Sequence, residues 1–235
     1  IFGIADTVEP WATPVGLGPF GKTVAFSPEW WELVRFACVE AEKRGIAIGL
    51  HNCPGYTSSG GPWIPSRLAM RELAFNVSAT NPVPERAHAV YPVWLEDEGT
   101  FGFPRVPARR SDVVDIAVVG GVRVSHVPTG SFNQPAQSEA RGLECDKLSE
   151  EAVTFHLDHV LGQIKEHLGD QIGRGLKYLF IDSYEAGEPN WTPRMREEFR
   201  VRKGYDCVPF LPVLGGFPVA DAERERRFTA DYDEV

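Results

Sequence analysis

Between Leu176 and Gly204 the chain changes character three times. Leu176 to Ile181 is a short apolar run behind a glycine-rich turn, the pattern of a buried strand. Asp182 to Thr192 is polar and turn-rich, and carries Asp182, Glu185 and Glu188 beside the rings of Tyr184 and Trp191. Thr192-Pro193 then opens a helix, because threonine is a good N-cap and proline suits the first helical position. That helix is expected from Pro193 to about Lys203, stopped by Gly204. Strand, loop, helix is therefore the order. It sets the loop at the carboxyl end of a strand, where α/β barrels and open α/β sheets place their chemistry.

The rest of the chain repeats the theme. Ser27-Pro28-Glu29 has the N-cap, proline and acidic first turn of a helix start, with Trp31, Val34, Cys38 and Ala41 at helical spacing and a stop at Lys43-Arg44-Gly45. Ile46 to Leu50 reads as a strand and runs into a long polar loop, His51 to Trp63. Ser66 to Leu73 reads as a short helix. From Val77 to about Gln137, valine-rich runs separated by Pro, Gly, Asp and Arg predict an inserted β-rich segment. Gly142 to Asp146 reads as a brief strand end. Ser149-Glu150-Glu151 then caps a helix with Val153, Leu157, Val160, Leu161, Ile164 and Leu168 on one stripe. Arg224 to Phe228 looks helical, and Phe210 to Leu214 is ambiguous.

Alternating strands and helices imply α/β architecture with a parallel sheet and right-handed crossovers. About four such units fall short of the eight a closed barrel needs. Either the sheet is open or this is a partial (β/α)8 TIM-type barrel, residues 1–235 being part of one catalytic barrel domain cut at both ends, with residues 77–137 inserted in it; the strand-like start at Ile1 favours the barrel.

Composition matters mainly for what it excludes. A net charge of -9 without a basic run suits neither nucleic acid nor an anionic membrane. No apolar stretch approaches the roughly 20 residues of a membrane span. Cys38, Cys53, Cys145 and Cys207 form no CxxC pair, so buried free thiols are expected; Cys53 and Cys145 fall at strand ends where a disulfide is the competing reading. Asn76-Val77-Ser78 and Asn190-Trp191-Thr192 match the glycosylation sequon, a coincidence at this length.

A carboxyl group beside aromatic rings suits a sugar, since rings stack on its apolar face and the acid protonates a glycosidic oxygen. Glu185 is the candidate acid, and a solvated loop carboxylate is the plain alternative. Asp182 serves as a ligand or as a turn cap. Glu144 and Asp146 end the preceding strand and could join Asp182 and Glu185 around sugar hydroxyls or a hard cation such as calcium. His51 and Asn52 end another strand and can donate to hydroxyls. Trp63, in a loop, suits carbohydrate stacking, with core anchoring as the alternative. His156 and His159 read as the solvated flank of their helix. The Ser59-to-Trp63 loop lacks phosphate-cradle spacing, and no GxSxG elbow surrounds Ser58 or Ser59.

Several stretches jointly resemble glycoside hydrolase family 106, the α-L-rhamnosidases. They are Phe26 to Trp30, His51 to Trp63, Gly142 to Ser149, Asp182 to Glu185, and Asn190 to Thr192, in the family's order. The resemblance implies a barrel catalytic domain with β-rich additions that removes terminal α-L-rhamnose from plant-type polysaccharides or glycosides with inversion. Glu185 matches the general acid. The general base is implied beyond residue 235, so the rest of a longer chain is an expected partner. Substrate contacts are expected from His51, Asn52, Trp63, Asp146, Asp182, Asn190 and Trp191. A calcium ion is implied by the resemblance alone, with no ligands assigned, and the substrate class suggests a periplasmic or secreted protein. A non-catalytic carbohydrate-binding relative and a glycosidase for another sugar are the competing readings.

Overall fold

In a computed structural model of the chain, the described residues are 23–55, 57–77, 109–133, 136, 138–181, 187 and 189–235. They form a mixed α/β structure. In chain order its elements are helix α1 (Pro28–Lys43), strands β1 (Ile48–His51), β2 (Arg71–Val77), β3 (Val114–Val119) and β4 (Val122–Pro128), helix α2 (Glu150–Leu168), strand β5 (Leu176–Phe180), and helices α3 (Met195–Lys203) and α4 (Ala222–Asp233). They divide into two compact units. One comprises residues 1–69 and 131–187, the other residues 70–130 and 188–235.

The first unit is built on a parallel pair. β1 and β5 run side by side with His51 opposite Phe180, and the Asn52 N–H continues the ladder to the Phe180 carbonyl at 3.3 Å. Helices α1 and α2 bury Trp31, Cys38, Val160, Ile164 and Leu168 together with Leu176. The start of α1 follows the sequence closely. The Ser27 hydroxyl accepts the Trp30 N–H at 3.2 Å, Pro28 opens the helix, and Gly45 turns the chain at φ +67°. Phe26 precedes the cap at φ +65° and packs edge-on to Trp31, a hydrophobic staple. Helix α2 starts at the predicted Ser149 cap. Its buried stripe is Ala152, His156, Val160, Ile164 and Leu168, so the face is rotated from the predicted one and Leu161 is exposed.

The second unit is an antiparallel sheet in the order β2-β4-β3. Gly120 and Gly121, both at positive φ, make the tight β3–β4 turn, a conformation that matches the twist of paired strands. Leu73, Val122 and Val124 pack with Trp191, Met195, Phe199, Leu211, Phe217, Phe228 and Tyr232. The ambiguous run near Phe210 is a 3-10 helix, Val208–Gly215.

Four sequence expectations need correction. Ser66 to Leu73 is not a helix: a single 3-10 turn spans Ser66–Leu68, and Arg71–Val77 is a strand. Pairing with β4 along its whole length satisfies that backbone and overrides the local pattern. Residues 142–146 do not join the parallel sheet. Leu143, Glu144 and Cys145 make isolated antiparallel bridges to Phe132, Gly60 and Ala69. Thr192 does not cap α3, because Pro193 and Arg194 form an intervening turn and the helix begins at Met195. β5 is also less buried than its apolar run predicts. Beyond Leu176 its residues are exposed, Tyr178 at 65% and Phe180 at 54%, because β1 is its one partner strand among the described residues. Of the β-rich segment at 77–137, residues 78–108 lie outside the described set; β3 and β4 share a sheet with Arg71–Val77.

Candidate functional site

In the first unit, polar chemistry gathers where the chain leaves β1. His51 ends that strand half-buried, its Nδ1 3.4 Å from the Cys53 N–H and 2.9 Å from the Cys53 carbonyl, to which it donates in the Nδ1–H tautomer. That leaves Nε2 to accept from the Ser58 hydroxyl at 3.3 Å. Asn52 is 2% exposed; its Nδ2 donates to the Ser58 carbonyl at 2.7 Å, while its Oδ1 has no hydrogen-bond partner among the described residues. Ser58 itself sits at φ +64°, a region that residues with side chains rarely enter.

Beneath this turn lies Glu144, fully buried at 0% exposure. The hydroxyls of Thr57 and Ser59 each donate to one of its two oxygens. Lys147 Nζ lies 3.6 Å from the carboxylate and donates to the Thr57 carbonyl at 3.0 Å. Burial pulls the Lys147 ammonium below its ordinary range, with Glu144 opposing. A Cβ at Gly60 would run into Glu144 Oε1 and the Asn133 side chain, so only glycine admits this approach. Cys53 and Cys145 flank the carboxylate as free thiols, and burial pushes both up to about 11, with Glu144 adding to the shift. Such thiols are unreactive near neutral pH.

Asp146 is buried and works in a turn. Its Oδ1 accepts the Leu148 N–H at 3.0 Å, and its carbonyl accepts the Ser149 N–H at 3.1 Å, which leads the chain into α2. Trp63 donates its indole N–H to His156 Nδ1 at 3.1 Å and lies nearly parallel to the His159 ring at 4.4 Å. Phe26 packs on it at 5.4 Å. Its surroundings are those of an anchor. His156 is not on a solvated flank: it is 2% exposed, and burial, with His159 and Lys147 nearby, pulls it down to about 4.

In the second unit, Asn190 and Trp191 extend the sheet. The Asn190 side chain accepts the Leu73 N–H at 2.7 Å, and Trp191 bridges Arg71 and stacks on His126. The Asn190 carbonyl accepts the Tyr232 hydroxyl at 2.6 Å. His126 accepts from Arg71 at 3.0 Å; burial first, then that cation, lowers it to about 4. Asp182, Glu185 and Glu188 lie outside the described residues.

The geometry thus brings together His51 and Asn52, while Trp63 and Asp146 hold surrounding structure. Sequence reasoning gave Thr57, Ser58 and Ser59 no place in the site, weighing the two serines only as nucleophiles. The signal was present as three small hydroxyl residues running into Gly60-Gly61 directly after a strand, and as one acid, Glu144, set between Leu143 and Cys145. Among the described residues no three His, Cys, Asp or Glu side chains stand close enough to hold a metal ion. Both Glu144 oxygens are already taken, so the described residues do not fit a calcium site.

The solved structure of a rhamnosidase from Novosphingobium sp. PP1Y superimposes with a TM-score of 0.65 over 89% of this chain and 38% of its own, at 20% identity, a likeness of fold. A Formosa agariphila protein named "Putative beta-glucuronidase" is 28% identical over 277 aligned residues, covering 93% of this chain and 24% of its own length. The chain therefore spans about a quarter and under two-fifths of these two longer proteins. No described helix is long and apolar enough to cross a membrane. The family model described as alpha-L-rhamnosidase matches residues 17–81 and 117–235, most of the sequence, and the chain belongs to that glycoside hydrolase family, number 106.

Proposed function

We propose that this chain is part of the catalytic domain of a glycoside hydrolase that removes terminal α-L-rhamnose from plant-type polysaccharides or glycosides by an inverting mechanism, with Glu185 as general acid. The observation that carries the reading is the register of the parallel pair. His51 faces Phe180, so the loop after β1 and the segment after β5 leave the sheet at one level. Asn52 leaves β1 at its carboxyl end, the working face of parallel α/β folds, and Glu185 follows β5 by five residues in sequence. In this reading β1 and β5 are neighbouring strands of a partial (β/α)8 barrel, and α1 and α2 belong to its outer ring.

Glu185 gives its proton to the departing glycosidic oxygen while a second carboxylate, about 6.5–9.5 Å away, deprotonates the attacking water on the opposite face of the ring. Asn52, whose Oδ1 has no partner among the described residues, offers an acceptor to a sugar hydroxyl at the strand end, and the His51 ring lies beside it. No step is routed through calcium.

The test is hydrolysis of aryl α-L-rhamnosides by the full-length protein, wild type beside Glu185→Gln. A loss of about 10²–10⁴-fold in kcat is expected for a poor leaving group. A much smaller loss is expected for a dinitrophenyl leaving group, which departs without protonation. Equal losses for both leaving groups would remove Glu185 from the acid role. The relative's name favours one alternative sugar. Turnover of an aryl β-D-glucuronide, with the rhamnoside untouched, would keep the enzyme class and replace the substrate.

A further inference from the structure

We propose that Glu144 is a positioning residue for the sugar-binding end of β1, acting through Thr57 and Ser59 to hold Ser58 in its left-handed conformation and thereby fixing His51 and Asn52. The proposal rests on the reading that His51 and Asn52 meet the substrate.

The case is one of over-determination. A serine at φ +64° sits in a conformation that residues with side chains rarely adopt, so its surroundings must impose it. The residues on either side are the ones tied down, since Thr57 and Ser59 each donate a hydroxyl to a different oxygen of the same carboxylate. The carboxylate in turn is immobile. It is fully buried, its backbone bridges Gly60, and Lys147 braces both it and the Thr57 carbonyl. Between its two anchored neighbours Ser58 turns its hydroxyl to His51 Nε2 and its carbonyl to Asn52 Nδ2. With Nδ1 held by the Cys53 carbonyl, the imidazole is fixed at both nitrogens. A carboxylate suits this task because it accepts two hydroxyls at once, where an amide offers a single acceptor oxygen.

The experiment uses the full-length protein and follows the ¹⁵N-imidazole signals of His51 beside rhamnoside kinetics. Glu144→Gln is compared with Thr57→Val/Ser59→Ala, which leaves the acid in place should the first variant fold poorly. Both are expected to shift the Nδ1/Nε2 pattern of His51 and to lower kcat/KM by about 10–100-fold, the scale of losing a supporting contact or misplacing a contact group. The double variant should lose more than Thr57→Val alone. Folded variants with unchanged His51 signals and unchanged kinetics would overturn the proposal. If the variants move the His51 signals while His51→Ala leaves hydrolysis intact, Glu144 positions His51 but the sugar-contact reading fails. If His51→Ala abolishes rhamnoside turnover while the clamp variants leave His51 unmoved, that reading stands and the role given to Glu144 falls.

Discussion

His156 shows how one buried side chain ties stability to pH. Its ring must stay neutral to accept the Trp63 indole N–H at Nδ1, and burial holds it near 4 against an ordinary 6.5. The folded state therefore binds fewer protons than the unfolded chain between these values. Stability from this group is complete above about 6.5 and is lost as pH falls toward 4. The full difference is of order 3 kcal/mol. His126, held near 4 by burial and Arg71, adds a second loss over the same window. Urea unfolding between pH 7 and pH 4 should show a falling midpoint, and His156→Gln, which keeps an acceptor for Trp63, should flatten part of that slope. A slope identical to wild type would mean that His156 does not carry it. Nothing in the sequence marked this residue as buried. Its spacing from Val153 and Val160 puts it on the helix face, but whether that face is covered depends on Trp63, a loop residue 93 positions away.

At the scale of elements, most helix ends with local chemical causes were legible, the start of α3 excepted, and pairings set by distant partners were not. The Ser27 and Ser149 caps and the glycine stops follow from bonds within four residues, and all stand where the sequence puts them. Arg71–Val77 was misread because its β character comes from β4, about fifty residues on. The parallel partner of β5 is likewise far away in sequence, so periodicity gave the strand but neither its neighbour nor its exposure. The substrate candidates divided on the same line. His51 and Asn52 end a locally predictable strand, whereas the partners that hold Trp63, Asn190 and Trp191 lie far along the chain. One helix end offers a clean measurement. Gly204 closes α3 at φ +78° with its N–H on the Arg200 carbonyl at 2.9 Å, and a Cβ there would meet nothing within 4 Å. Gly204→Ala should therefore cost only the left-handed backbone penalty, about 1 kcal/mol, read as a fall in Tm of roughly 2–4 °C.

For the whole molecule, the open side of the parallel pair decides how this length of chain behaves in isolation. Tyr178, Phe180 and Ile181 lie on or just past a strand with one partner among the described residues, and strands rich in such residues are normally covered on both faces. The 235 residues expressed alone should self-associate with rising concentration in sedimentation velocity, and Tyr178→Lys with Phe180→Glu should suppress it. Monomer at all concentrations for the unmodified chain would show that this strand is not adhesive. The buried clamp has a consequence of a different kind. Thr57 and Ser59 wait for a carboxylate 87 and 85 residues downstream. At a synthesis rate of about 5–20 residues per second, a ribosome that has made the loop needs roughly 4–17 s more to deliver its anchor. Throughout that interval Ser58 has no reason to hold its strained shape. The end of β1 is thus completed well after its own synthesis, and a nascent chain stalled before Glu144 carries an unset loop.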